Sequence, residues 1–173
     1  MTRPGTLFAL VGGLLLLSAQ SGGVVAQQPT QTTARYGAWV VQCNTVKDAK
    51  VCEMVQTLAQ KDRRVVAQVA IGRLPTSDTI RAVLQVPTGV DLTKPASLAL
   101  SDSDKDKFVG RYVACTPRFC RSEIDLPASL TKLPANLDKA AIHFHIPGKM
   151  VVVPMQSDGM VAAFDAVFKK AKG

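Results

Sequence analysis

The chain has 173 residues, 47% hydrophobic and 5% aromatic, with 21 Lys and Arg against 13 Asp and Glu and a formal net charge of +8 at pH 7. So few aromatics leave little for base stacking on a basic surface. Only Tyr112, Phe119 and the Arg118–Arg121 stretch combine the two features, and nucleic acid is not expected as a partner. The positive balance favours anionic surfaces such as lipopolysaccharide, acidic lipid or glycans. Its scatter over Arg63-Arg64, Lys105-Lys107, Arg118-Arg121 and Lys169-Lys172 also fits a plain solvated basic surface.

The chain opens MTRPGTLFALVGGLLLLSAQSGGVVAQQ. Arg3 precedes an uncharged apolar run over Leu7–Ala19, and the small residues Val24 and Ala26 follow. This order predicts a secretory signal peptide over residues 1–26, cut after Ala26. A membrane anchor would need a run of about 20 apolar residues. No cysteine lies near the cut to take a lipid. Removing Arg3 takes the +8 of the whole chain to +7. The remaining length suits one domain, with a core that needs no outside support. No later segment is apolar and long enough to cross a membrane. The expected address is the periplasm, with surface association or secretion as extensions of it.

Export carries thiols into an oxidising compartment. Cys43, Cys52, Cys115 and Cys120 can pair in three ways. The local pairs Cys43–Cys52 and Cys115–Cys120 are expected because short loops close most easily. CNTVKDAKVC and CTPRFC both lack the C-x-x-C spacing of redox motifs and zinc ribbons. A redox role stays open chiefly at Cys115–Cys120, whose loop is the tighter.

Residues 27–34 are polar and without period, and read as a flexible lead-in to a single domain over 35–173. Tyr36–Cys43 and Val51–Leu58 form a predicted hairpin with Asn44–Lys50 as its turn. If Cys43 faces Cys52, then Val41 faces Met54 and Trp39 faces Gln56, on the same side of the sheet as the bridge. Arg64–Ile71 places Val65, Ala67, Val69 and Ile71 on one side, and Ile80–Val86 does the same with Ile80, Ala82, Leu84 and Val86. A turn at Pro87–Gly89 and a short strand over Ser97–Leu100 follow. Phe108–Cys115 and Phe119–Asp125 read as a second hairpin, with Pro117 in its turn. Pro127–Leu133 is expected to hold one or two helical turns. Ala141–Ile146 and Met150–Pro154 are strands split by Pro147-Gly148, with Pro154 ending the last or lying on an edge. Met160, Phe164, Val167 and Phe168 recur at helical spacing, so residues 158–170 read as an amphipathic helix with Ser157 as N-cap. The whole is mainly β, an antiparallel sandwich or barrel-like fold with this short helix packed on a sheet.

No sequence signature of catalysis occurs: no G-x-S-x-G, H-E-x-x-H, P-loop or G-x-G-x-x-G. Glu53 and Glu123 lie near cysteines, and one-dimensional spacing does not pair them. His143 and His145 in AIHFHIPG share one face of a strand while Ile142, Phe144 and Ile146 share the other. They are the weak candidates for a metal site, two ligands without an obvious third. No cofactor is expected, and no enzyme.

GAWVVQC…VCEMVQ, RVVAQVAIGR, VLQVPTGVDL, YVACTPRFCRSEIDL and VVVPMQSDGMVAAFDAV follow one another in this order. Together they resemble the invasion-associated locus B family of exported bacterial proteins, over about residues 36 to 168. The W-x-x-x-C start, the C-E-M-x-Q strand, the I-G-R end and V-P-M-x-x-x-G-M carry the likeness. Met155, Gln156 and Met160 depart from the family's usual V-P-L-S-L-x-G-F. The resemblance implies a periplasmic, surface-associated or secreted protein linked to host-cell invasion in some pathogens. It implies no catalytic activity and transfers no site residue. The expected function is a non-enzymatic exported protein that binds a protein or an anionic envelope or host-surface component and aids host-cell entry. The alternatives are a thiol-redox factor at Cys115–Cys120 and a chaperone-like envelope component that adds a client strand near Met150–Pro154.

Overall fold

The computed structural model describes residues 31–46, 49–59, 64–74, 79–130 and 132–169. The leader expected over 1–26 and the basic residues Arg63, Lys170 and Lys172 lie outside them. Seven strands form one antiparallel sheet in the order β1-β2-β3-β4-β5-β9-β8: β1 (Thr32–Tyr36), β2 (Trp39–Val46), β3 (Ala49–Ala59), β4 (Val65–Arg73), β5 (Ile80–Pro87), β8 (Arg111–Cys115) and β9 (Phe119–Leu126). Four more form a second sheet in the order β11-β10-β6-β7: β6 (Ser97–Ala99), β7 (Lys107–Val109), β10 (Ala141–Ile146) and β11 (Lys149–Pro154). One hydrophobic cluster runs through both sheets and the helix α1 (Met160–Phe168).

Alternation dictates which side chains meet in that cluster. Cys43 stands opposite Cys52 and Val41 opposite Met54, so Trp39, Val41 and Met54 are buried together. The β2–β3 ladder runs on past the bridge to Val46 opposite Ala49, because Thr45, Val46 and Val51 suit a strand. The turn is therefore shorter than Asn44–Lys50. Ile80, Ala82, Leu84 and Val86 are all buried on β5. On β4, Ala67, Val69 and Ile71 are buried but Val65 is 57% exposed. The register shifts between Leu58 and Ala59, where Ala59 meets Val65, and this turns Val65 off the core face.

Further expectations need correction. Thr32–Ala34, placed in the lead-in 27–34, belong to β1 and pair with β2. The β-branched Thr32 and Thr33 suit a strand, and Gly37, at φ +54, makes the tight return. Phe108–Cys115 is not one strand of a hairpin. It splits at Gly110 into β7 and β8, one in each sheet. A Cβ at Gly110 would stand 2.5 Å from Ile124 Cγ1 and 2.6 Å from Ser122 Oγ, so the chain crosses between sheets where no side chain fits. Pro127–Leu133 holds no helix among its described residues. Leu130 N–H closes a turn on the Pro127 carbonyl at 2.9 Å, and the helical turn comes later, at Leu137–Lys139. Pro127 and Pro134 bias the residues before them away from α geometry.

The helix is shorter than 158–170. Gly159, at φ +75, stands at its N-cap, and Ser157 Oγ donates instead to Asp138 Oδ1 at 2.9 Å. Met160, Ala163 and Phe164 are buried, and α1 packs on β1 to β4. Phe168 lies 4.5 Å from Phe164 between ring centres, with the Arg73 guanidinium 5.8 Å over its ring.

Candidate functional site: the outer face and free edge of the second sheet

On the second sheet, Ile142 stands between Val153 and Leu98, and Leu98 opposite Phe108, all towards the core. The alternate residues point away. Val152, His143, Ser97 and Val109 form one row across all four strands, and Met150 stands opposite His145 in the next. Val109 is 61% exposed, Met150 53% and Val152 49%. The strand sequences SLA, KFV, AIHFHI and KMVVVP contain no Asp or Glu, while they hold both histidines of the chain and two lysines. Exposed apolar side chains, both histidines and Lys107 thus share one face.

His143 Nδ1 lies 3.5 Å from Ser97 Oγ. Burial, and then Lys107 and His145, hold the His143 pKa below its ordinary value. The His145 carbonyl accepts from Asp91 N–H at 2.8 Å, and His145 Nδ1 is buried without a hydrogen-bond partner among the described residues. The Thr93 hydroxyl, at 2.6 Å, and the Thr93 N–H, at 3.1 Å, hold the Asp91 carboxylate below its usual range. Burial, with Asp91 nearby, pushes the Tyr112 hydroxyl up. Among the described residues no group of three or more His, Cys, Asp or Glu is placed to hold a metal ion.

Among the described residues β11 forms one edge of its sheet and β7 the other. Beside β11 opens a slot of about 490 Å³, lined by Leu58, Val66, Phe144, Val151, Val153 and Met155. Its volume falls in the range of ligand pockets and its lining is mostly apolar, with Gln156 among the lining residues.

The remaining sequence candidates sit elsewhere. Cys43 is bonded to Cys52 and Cys115 to Cys120, each pair 4.0 Å apart between Cα atoms. Cys120 is buried and Cys115 exposed. Thr116 organises the hairpin between them. Its hydroxyl accepts from the Arg118 and Phe119 N–H groups, at 3.3 and 3.2 Å. Glu123 pairs with Arg81 at 2.9 Å and Arg121 at 3.2 Å, and Arg81 also holds Asp125 at 2.8 Å. Glu53 accepts from Gln42 Nε2 at 2.6 Å. These carboxylates belong to cross-strand pairs on the first sheet and do not face each other as an acid–base couple.

Residues 39–168 match the family described as Invasion associated locus B (IalB) protein. The chain belongs to this family. An Invasion protein B homolog of Brucella abortus (strain 2308) is 28% identical over 151 residues, covering 84% of this chain and 82% of the relative. Invasion protein B of Bartonella bacilliformis is 28% identical over 88 residues, 51% of this chain and 46% of the relative. The crystal structure of invasion associated protein b from Bartonella henselae superposes with a TM-score of 0.64 at 23% identity, over 79% of this chain and 94% of that one. It shares the fold of the family member described here. These relatives are named for invasion and not for an enzymatic activity. No helix among the described residues is long and apolar enough to cross a membrane.

Proposed function

We propose that this family member is an exported, non-enzymatic binding protein. It is delivered by the leader over residues 1–26 and engages a protein or an anionic component of the envelope or of a host surface through the outer face of its second sheet. Family membership and the relatives' names support a part in host-cell entry. The observation that carries the reading is the composition of that face: Val109, Met150 and Val152 exposed around His143 and His145, on strands without a carboxylate. Exposed apolar groups clustered in this way mark interaction sites more often than they mark ordinary surface. The two disulfides fit an oxidising compartment.

The test uses purified residues 27–173, coated on a surface and offered host cells and envelope fractions at physiological salt. Binding is expected, with a tenfold or greater loss in Val109→Glu, which puts a carboxylate on an exposed position of this face. Absence of binding to both, or full binding by Val109→Glu, removes the reading.

A further inference from the structure

β11 pairs with β10 along one side and with nothing among the described residues along the other. The ladder shows which backbone groups face the open side. Met155 N–H donates to the Ala140 carbonyl at 2.8 Å, so Met155 points its backbone towards β10. On an antiparallel strand this alternates, so Val153 and Val151 also bond to β10. Met150, Val152 and Pro154 then turn their backbone groups outwards. The partner strand agrees: the His145 carbonyl, opposite Met150, points to the far side and accepts from Asp91 N–H. The open edge therefore offers the N–H and C=O groups of Met150 and Val152. It stops at Pro154, which has no N–H to give.

We propose that this edge takes an extended, acid-flanked polypeptide segment as a further strand, seating its alternate apolar side chains in the slot beside β11. The proposal rests on the second sheet being the binding face and narrows the partner to a polypeptide. Main-chain bonds to Met150 and Val152 supply the docking, and side-chain pockets at every second position supply the selection. One set of incoming side chains continues the inner row of Val151 and Val153 into the apolar slot of about 490 Å³. The other set lies beside Met150 and Val152 on the outer face. Charge chooses the flanks. Lys149 at the start of the edge faces an incoming strand, and neither β10 nor β11 carries a carboxylate. A second copy of this basic chain fits that field poorly.

The experiment uses isotope-labelled residues 27–173 and a synthetic probe that alternates valine and threonine between paired glutamates. A second probe is N-methylated at alternate residues. The plain probe is expected to bind and to slow amide exchange at Met150 and Val152. Val152→Pro removes an N–H that the fold does not use, so it should stay folded and lose tenfold or more in probe affinity. Val152→Thr keeps the backbone and should bind as the parent does. If Val152→Pro does not fold, the N-methylated probe, expected to bind at least tenfold more weakly, carries the same test. No saturable binding of the plain probe overturns the proposal. So does equal binding by Val152→Pro or by the N-methylated probe, either of which would mean that the slot holds apolar groups without strand pairing. A dimer that protects the same amides without probe also overturns it. Cell and envelope binding that survives in Val152→Pro leaves the broader function standing while the edge falls.

Discussion

Gln56 is 2% exposed, on the strand face that packs the core. Its side chain meets a backbone rather than another side chain. Nε2 donates to the Gln156 carbonyl at 3.0 Å, Oε1 accepts from Gln156 N–H at 3.0 Å, and Trp39 Nε1 donates to the same carbonyl at 2.9 Å. The segment leading into α1 is thereby stitched to β2 and β3. Gln56→Leu keeps the bulk but leaves the Gln156 N–H unpaired. It should cost about 1–3 kcal/mol, read as a lower urea midpoint without a change in slope. The sequence places Gln56 opposite Trp39 and so on the inner face, but nothing in one dimension says that its amide meets position 156. Local alternation carries facing and not long-range hydrogen bonding.

At the scale of elements, the β5 face and the bridge-centred β2–β3 register were legible because each rests on a period of two. Departures cluster where a single residue changes the period. The irregularity at Leu58/Ala59 exposes Val65, and Gly110 divides one apparent strand between two sheets. The start of the helix follows the same logic. Gly159 sits at φ +75 with its Cα against the Tyr36 carbonyl, so an added Cβ would overlap that oxygen. Gly159→Ala should therefore lose more than the roughly 1–2 kcal/mol of a left-handed residue alone. The loss is measurable as a thermal shift, with tryptophan emission reporting Trp39 beneath the helix. Ser157 looked the better N-cap by residue type; the backbone turn into the helix selected glycine.

Over the whole molecule, antiparallel architecture and a helix packed on a sheet follow from many short alternating runs. The split into seven and four strands depends on the crossing at Gly110 and was not readable. The candidate face was half legible: alternation sets His143 and His145 outward, but only the paired sheet brings Val109 and Val152 into line with them. The same face makes stability respond to acid. His143 lies below its ordinary 6.5, so between its folded value and 6.5 the unfolded chain binds more protons than the native one. Stability should be level above 6.5 and fall as the pH drops below it, until His143 is charged in both states. Thermal unfolding from pH 7.5 to 5 should show that slope, reduced in His143→Gln.

The Ala38 N–H bonds to the Asp158 carbonyl at 3.2 Å, beside the approach of Gly159 to Tyr36. The first strand and the last helix are thus fastened to each other at one point. A polypeptide emerging N-terminus first from a ribosome cannot close this clasp until Asp158 has passed through. Until then the side of β2 and β3 that α1 covers stays open.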